Sequence, residues 1–338
     1  MNFPVNCMAE SMSWLRSLRE WLRLLPFIGR PCLIVRRYGG LGDLLALMPG
    51  LEALKQKHPA HALVLVTSPG LVKIAALAGV AALVLPSTLR GSGWLAKVLK
   101  PAQDLTPRLA DELEPPQPRS RRLLMEEFAG LLKVELTAPR PVRIVPLPES
   151  LDTVRARLAD AGVPVQKLVV IHTGPSWPVK HWPDSHWCML VEGLKARGQA
   201  VVQVGASGHD GNAQLQMSDV DGAIDWRDRL ELPELLALLS LARLFIGIDS
   251  GPLHLAASAC VPVIGLFGPT DASSILPPLV ESTALHADLA CLGCHHHADG
   301  PLHWRSGCPH ETACMKSIDP DMVIRACELR LNPGAGRA

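Results

Sequence analysis

No charge of either sign dominates this 338-residue sequence: lysine and arginine number 33 against 32 aspartates and glutamates, a formal net charge of +1. A global basic field of the kind that holds nucleic acid is therefore missing. Also missing is any run approaching about 18 uninterrupted apolar residues, so no transmembrane helix is expected. Residues 1–30 carry no export signal, because Arg16, Arg19, Glu20 and Arg23 cut every apolar run there. The nine cysteines make an odd count, and Cys7, Cys32, Cys188, Cys260 and Cys327 stand singly. That pattern fits free thiols in a reducing, cytoplasmic setting better than a disulfide framework. With 48% hydrophobic and 19% charged residues, the chain reads as a soluble, well-packed protein long enough for two domains.

The remaining features are organised around Leu244 to Asp271. Two apolar runs, Leu244–Ile248 and Val261–Phe267, have the length of buried parallel strands, with a helix-sized segment, Pro252–Ala259, between them. At the turn, Asp249 or Ser250 can cap the helix, Gly251 permits close backbone approach and Pro252 suits the first helical turn. A helix start at the carboxyl edge of a parallel sheet is an anion site, because its free N–H groups point at the ligand. A plain helix cap accounts for the same four residues.

Trp14, Leu15, Leu18, Trp21, Leu22 and Leu25 recur at helical spacing among arginines. Such a helix suits either an anionic membrane surface or packing on its own domain. Next comes a strand, Cys32–Arg36, then the turn Arg37-Tyr38-Gly39-Gly40-Leu41-Gly42-Asp43 and a helical leucine pattern. This is the plan of a nucleotide-type loop, but it lacks the dinucleotide fingerprint G-x-G-x-x-G, which disfavours a nicotinamide enzyme. Asp43 stands at the helix start, where an N-cap and a chemical role are both open. Strands at Leu63–Val66 and Ala82–Leu85 continue the alternation. Prolines then punctuate residues 101–148, with one helix expected at Arg121–Leu132 and a linker at Pro139–Pro148. Arg119, Arg121 and Arg122 form a basic cluster, either an acceptor contact or a solvated face.

The second half restarts the alternation. A helix ends over Leu158–Val165, a strand covers Leu168–His172, a helix runs from Asp184 to about Arg197 with Gly198 as its stop, and Ala200–Val204 is the next strand. Two βα-repeating halves joined by a proline-rich linker imply two Rossmann-like domains with parallel sheets facing a central cleft. The expected domains are an amphipathic extension at 1–30, an N-terminal domain at 31–148 and a C-terminal domain at 149–330.

Across most of residues 32–330 the chain resembles glycosyltransferase family 9, the group of the lipopolysaccharide heptosyltransferases. RYGGLGDLLALMPGLEALKQKHP is similar to its R-x-G-x-x-G-D-x5-P segment, VVIHTGPSWPVKHWPDSHWCMLVEGLKARG to its strand–K-x-W-P–helix segment, and IGIDSGPLHLAASACVPVIGLFGPTD to its D-[ST]-G-x-x-H-x-A segment. The resemblance implies the GT-B fold and an inverting transferase needing no catalytic cofactor, with acceptor bound by the N-terminal half and nucleotide sugar, ADP-heptose above all, by the C-terminal half. Matched position by position, Asp43, beside Gly40 and Gly42, would be the general base on an acceptor hydroxyl. Lys180 would meet the donor phosphates. Asp249, Ser250, Gly251 and His254 would form the donor-binding segment, and Asp210, after a one-residue shift, would stand at the nucleotide ribose. His172-Thr173-Gly174 replaces the family's His-Pro-Gly, and D-S-G its D-T-G. The N-terminal helix and the proline-rich middle are unmatched, and acceptor choice would be written there.

Cys291-x2-Cys294-x13-Cys308-x5-Cys314, set among His295, His296, His297, His303 and His310, supplies four soft ligands. They could close a structural iron or zinc site, although x5 exceeds the usual second spacing; reduced thiols in a loop are the alternative. Autotransporter heptosyltransferases of the same family resemble this segment in carrying an iron-binding cysteine finger. The expected partners are a nucleotide-sugar donor and a glycolipid or other glycan acceptor, with peripheral membrane contact through the N-terminal helix and no nucleic acid. The rival readings are transfer of another sugar, transfer to a protein hydroxyl, and a non-catalytic nucleotide-sugar binder.

Overall fold

A computed structural model describes residues 22–87, 93–109, 122–174, 177–210, 213–215, 217–276, 279, 281–297 and 307–332. Trp14 and Trp21 of the expected N-terminal helix, the Arg119 and Arg121 pair and His303 lie outside these residues. Contacts divide the chain into two compact units, one of residues up to Gly39 with Leu51–Pro107, the other of Gly40–Gly50 with Arg108 onward.

The first unit holds β1 (Cys32–Arg37), the second part of α1 (Leu41–Lys57), β2 (Ala62–Thr67), α2 (Val72–Leu77), β3 (Leu83–Pro86), α3 (Gly93–Leu99) and β4 (Gln103–Leu105). Its sheet has the order β3-β2-β1-β4, and every pairing is parallel. All six β1 residues are buried. Cys32–Val35 therefore read as an apolar run rather than an alternation, and the buried Arg36 that follows is paired with Asp104 at 2.7 Å. Ile34, Val64, Val66, Leu85, Leu95 and Leu99 form its core with Leu24.

The second unit holds α4 (Leu124–Leu131), α5 (Pro148–Asp160), β5 (Leu168–His172), α6 (Asp184–Ala196), β6 (Ala200–Val204), the β7–β8 hairpin (Gly208–Asp210, Ala213–Leu215) and β9 (Ile224–Asp225). There follow α7 (Leu232–Leu241), β10 (Leu244–Ile248), α8 (Gly251–Ser258), β11 (Val263–Leu266), α9 (Ala272–Ile275), β12 (Ser282–Leu285), α10 (Cys294–His297), α11 (Ala313–Lys316) and α12 (Pro320–Leu331). The main sheet runs β12-β11-β10-β5-β6-β9, again parallel throughout. Two Rossmann-like α/β units are thus present, as the GT-B class requires.

Some boundaries differ from expectation. The helix expected to reach Val165 closes at Asp160, because Gly162 turns left-handed (φ +66°) and the Val163 N–H reaches back to the Leu158 carbonyl at 2.8 Å. The strand expected from Val261 begins at Val263, after Cys260 at φ +59° and Pro262. Residues 134–147 carry neither helix nor strand, yet Val142 and Ile144 are buried and the Ile144 N–H donates to the Ser258 carbonyl at 3.0 Å. Among the described residues no helix is long and apolar enough to cross a membrane.

Candidate functional site

In the second unit the chain moves outward from β5 through β6 to β9, then returns to the other side of β5 for β10 and continues to β11 and β12. The direction of winding therefore reverses between β5 and β10. Loops leaving the carboxyl ends of two such strands part to opposite faces and leave a crevice. His172 ends β5 and Asp249-Ser250 follow β10, so both face that crevice edge.

Lys180 lies on a short 3₁₀ turn, Pro178–Lys180, between β5 and α6. Its buried ammonium meets Asp249 Oδ2 at 2.6 Å and the Asp249 carbonyl at 3.4 Å, and stands 4.3 Å from the centroid of the Trp177 ring. Burial works against ionisation of Asp249, but the charges of Lys180 and His254 and the hydrogen bond from Lys180 outweigh it and hold the carboxyl at about 2. At neutral pH the pair is an ammonium–carboxylate pair.

Ser250 is the N-cap of α8 by position, but neither it nor Asp249 serves as a plain cap. The Ser250 hydroxyl makes no bond to the helix N–H groups. It donates instead to the Ile248 carbonyl at 3.1 Å and lies 3.0 Å from His172 Nδ1, which with that assignment carries the ring proton. Burial pushes the His172 imidazole down to about 4, so it is neutral. The start of α8 thus has no side-chain cap, but Pro252 carries no N–H and the Leu253 N–H donates to the Ser250 carbonyl at 3.1 Å, which leaves the Gly251 N–H among the first-turn groups. Beside them a cavity of about 290 Å³ opens, walled by Val204, Trp226, Leu230, Leu232 and Leu235 and carrying His172, Ser250 and Gly251 at its polar end. At the end of β6, a Cβ on Gly205 would stand 2.7 Å from the Gly174 carbonyl oxygen, so glycine lets the β5 and β6 loops meet there.

The turn before α1 joins this neighbourhood. The helix begins at Leu41, with the Gly40 carbonyl accepting the Leu44 N–H at 3.2 Å. Asp43 therefore sits inside the first turn rather than at the cap. A Cβ on Gly42 would stand 3.0 Å from His254 Cδ2, and one on Gly251 would stand 2.8 Å from Leu41 Cβ. Two glycines thus let the starts of α1 and α8 approach each other. Nothing lies within 4 Å of a Cβ built on Gly40. Burial lowers the His254 pKa; Asp249 and Asp43 pull it up and Lys180 adds to the lowering. Asp43, Lys180, Asp249 and His254 are therefore electrostatically coupled. Asp210 ends β7, and its side chain lies outside what the structure describes.

The eight described cysteines are free thiols. Cys291, Cys294, Cys308 and Cys314 line one cavity of about 140 Å³ with Trp177, His295 and His310. Burial raises the Cys314 thiol to about 11, helped by the other three, and raises Cys294 in the same way through Cys291 and Cys308. Among the described residues no group of three or more His, Cys, Asp or Glu side chains is disposed to hold a metal ion as it stands. The donor set nevertheless fits a soft cation: four thiols line one cavity, and Cys294 and Cys314, whose ionisation burial opposes, would ionise against such a charge.

The sequence pattern that defines glycosyltransferase family 9 (heptosyltransferase) matches residues 108–304, more than half of the chain. The chain belongs to glycosyltransferase family 9. Lipopolysaccharide heptosyltransferase 1 of Pseudomonas aeruginosa is 33% identical over 153 residues, 44% of this chain and 42% of that protein. The match thus spans less than half the length of that curated family 9 relative. Among solved structures, the iron-containing dodecameric glycosyltransferase TibC of enterotoxigenic Escherichia coli superposes with a TM-score of 0.69 at 22% identity, over 91% of this chain and 80% of TibC. TibC is also known in complex with ADP-D-β-D-heptose. E. coli ADP-heptose lipopolysaccharide heptosyltransferase II gives a TM-score of 0.65 at 12% identity, over 89% and 99% of the two chains. At these identities the structural likeness speaks for the fold alone.

Several residues of this family 9 site carry no local sequence signal. Trp226, Leu232 and Leu235 read as ordinary core, and Trp177 falls outside the motif that begins at Lys180. His172 is part of a motif, but its bond to Ser250 joins residues 78 apart. Only the pairing of β5 with β10 brings them together.

Proposed function

We propose that this protein is an inverting glycosyltransferase that transfers heptose from ADP-heptose to a hydroxyl of a lipopolysaccharide-core or related glycan acceptor. The observation that carries the reading is the buried Lys180–Asp249 pair beside the N-terminus of α8, which no side chain caps, and a mostly apolar cavity. That combination suits a ligand with a flat ring at one end and a diphosphate at the other. The base enters the cavity, and the diphosphate takes the positive end of α8 at Gly251 and the Lys180 ammonium. Asp43 accepts the proton of the acceptor hydroxyl as its oxygen bonds to the anomeric carbon. The bond from that carbon to the phosphate oxygen breaks on the opposite face, and ADP departs with its new charge met by Lys180. Asp249 holds Lys180 in place and sugar hydroxyls within reach, while neutral His254 packs against Gly42. Asp210 is assigned to the ribose. The acceptor belongs to the N-terminal domain, residues 31–148, and the donor to residues 149–330.

The four thiols would hold a structural iron or zinc ion. Cytoplasmic residence with the N-terminal segment on the inner membrane face completes the proposal; sedimentation with anionic vesicles, lost on removing residues 1–21, tests that part. The central test is calorimetry with ADP, UDP, GDP and their sugars on the wild type and Lys180→Ala. Binding of ADP and ADP-heptose that depends on Lys180 supports the reading. Absence of nucleotide binding by the folded protein leaves a scaffold with a transferase fold. Metal analysis before and after Cys294→Ser decides whether the thiol cavity is a metal site.

A further inference from the structure

One tryptophan stands between the charged pair and the four thiols. The Trp177 carbonyl accepts the Lys180 N–H at 2.8 Å, which folds the chain so that the ammonium lies 4.3 Å from the ring centroid. The same ring meets His295 edge-on, with centroids 4.9 Å apart and planes at 68°. His295 is itself buried, and its N–H donates to the Pro269 carbonyl at 2.9 Å in the loop after β11. Trp177 also forms part of the wall of the thiol-lined cavity. It therefore touches Lys180 and the cysteine segment at once, although it lies outside the family's K-x-W-P motif.

A lysine side chain has four rotatable bonds, and one carboxylate oxygen fixes only where its tip goes. An aromatic ring beside the ammonium restricts the remaining freedom and attracts the cation through its quadrupole. We propose that Trp177 is a positioning residue for Lys180, its ring braced by His295 and the wall of the four-thiol cavity. The order of the cysteine segment is thereby felt at the ammonium. The effect on nucleotide binding rests on the reading of Lys180 as the contact to the donor phosphates; the positioning itself does not.

The test uses the full chain as wild type, Trp177→Phe, Trp177→Leu, Lys180→Met and the Trp177→Leu/Lys180→Met double variant. In the ligand-free protein, trinitrobenzenesulfonate labelling of Lys180 is compared with that of the other lysines by peptide mass spectrometry. Trp177→Leu is expected to speed labelling of Lys180 severalfold and leave the other lysines unchanged, with Trp177→Phe close to wild type. In calorimetry with ADP, Trp177→Leu is expected to weaken binding by about five- to tenfold, the scale of one desolvated cation–ring contact. That loss should vanish in the Lys180→Met background, because a residue acting through Lys180 has nothing left to position. Equal labelling of Lys180 in all Trp177 variants, or an undiminished Trp177→Leu penalty in the Lys180→Met background, overturns the proposal. If Trp177→Leu does not fold, Trp177→Met replaces it. If the wild type binds no ADP, the transferase reading fails, and the labelling comparison still decides this one.

Discussion

Replacing Lys180 by methionine should make the stability of the second unit depend on pH with the opposite sign. In the wild type Asp249 is held at about 2 against an ordinary 3.8, so ionisation is easier in the folded chain than in the unfolded one. That difference is on the order of 2–3 kcal/mol of stability, fully present above about pH 4 and lost as pH falls towards 2. The variant keeps the burial, with both partner side chains about nine-tenths covered, and removes the cation 2.6 Å away. Burial then dominates and the carboxyl pKa rises above 3.8, so the unfolded chain gives up its proton first. Stability therefore falls as pH rises. Near pH 7–8 the loss should approach the roughly 3–5 kcal/mol typical of a buried charge left alone. Towards pH 5 it should shrink. His254 reinforces the trend, because losing the nearby ammonium eases its protonation beside Asp249. Urea unfolding followed by the fluorescence of Trp177, Trp182, Trp187 and Trp226 at pH 5, 6, 7 and 8 reads the difference from wild type. Lys180→Met/Asp249→Asn should recover most of the loss at pH 8. A deficit that is constant with pH, or a double variant no better than Lys180→Met, would refute the reasoning.

The neutral His172 imidazole, held at about 4 by burial, should cost the wild type about 3 kcal/mol as pH falls from about 6.5 to 4. His172→Gln should flatten the melting-temperature profile across that window. Gly251→Ala places a methyl 2.8 Å from Leu41 Cβ and should destabilise by about 1–3 kcal/mol, partly restored in thermal melts by Leu41→Gly, which removes that Cβ. Gly42→Ala, at 3.0 Å from the His254 ring, should cost less, since the helix gains about 1 kcal/mol from alanine. Trp182→Phe removes the indole bond to the Ile318 carbonyl at 3.0 Å inside the core; a loss of about 1–3 kcal/mol in urea midpoints is expected.

The strands were legible because parallel strands buried on both faces read as short unbroken apolar runs, Leu168–His172 and Leu244–Ile248 among them. Their ends were less so, since Gly162 and Cys260 reverse the backbone one or two residues away from where the apolar pattern stops. Within the site, each motif announced itself through its own local chemistry: glycines before Asp43, a lysine between prolines, an acid and a hydroxyl before a helix. The way they combine was hidden. Asp249 could have been an N-cap on any sequence argument; it is bound to Lys180, 69 residues away. Trp226 and Leu235 differ from other core residues only in having a cavity beside them. The four cysteines were recognisable from spacing, but their shared wall with Trp177 depends on contacts between distant segments.

The strand order has a consequence for how the protein is made. β5 pairs on one edge with β6, which follows it closely, and on the other with β10, which emerges from the ribosome only after α7. Until then β5 offers an open apolar edge, a template for wrong partners. The buried Lys180 meanwhile has been synthesised without its carboxylate. The charged pair can close only when β10 docks, so the site is among the last parts of the second unit to form. Slowing synthesis just before Leu244 should therefore prolong the aggregation-prone interval, whereas a pause after Leu285, with the β12 strand made, should not.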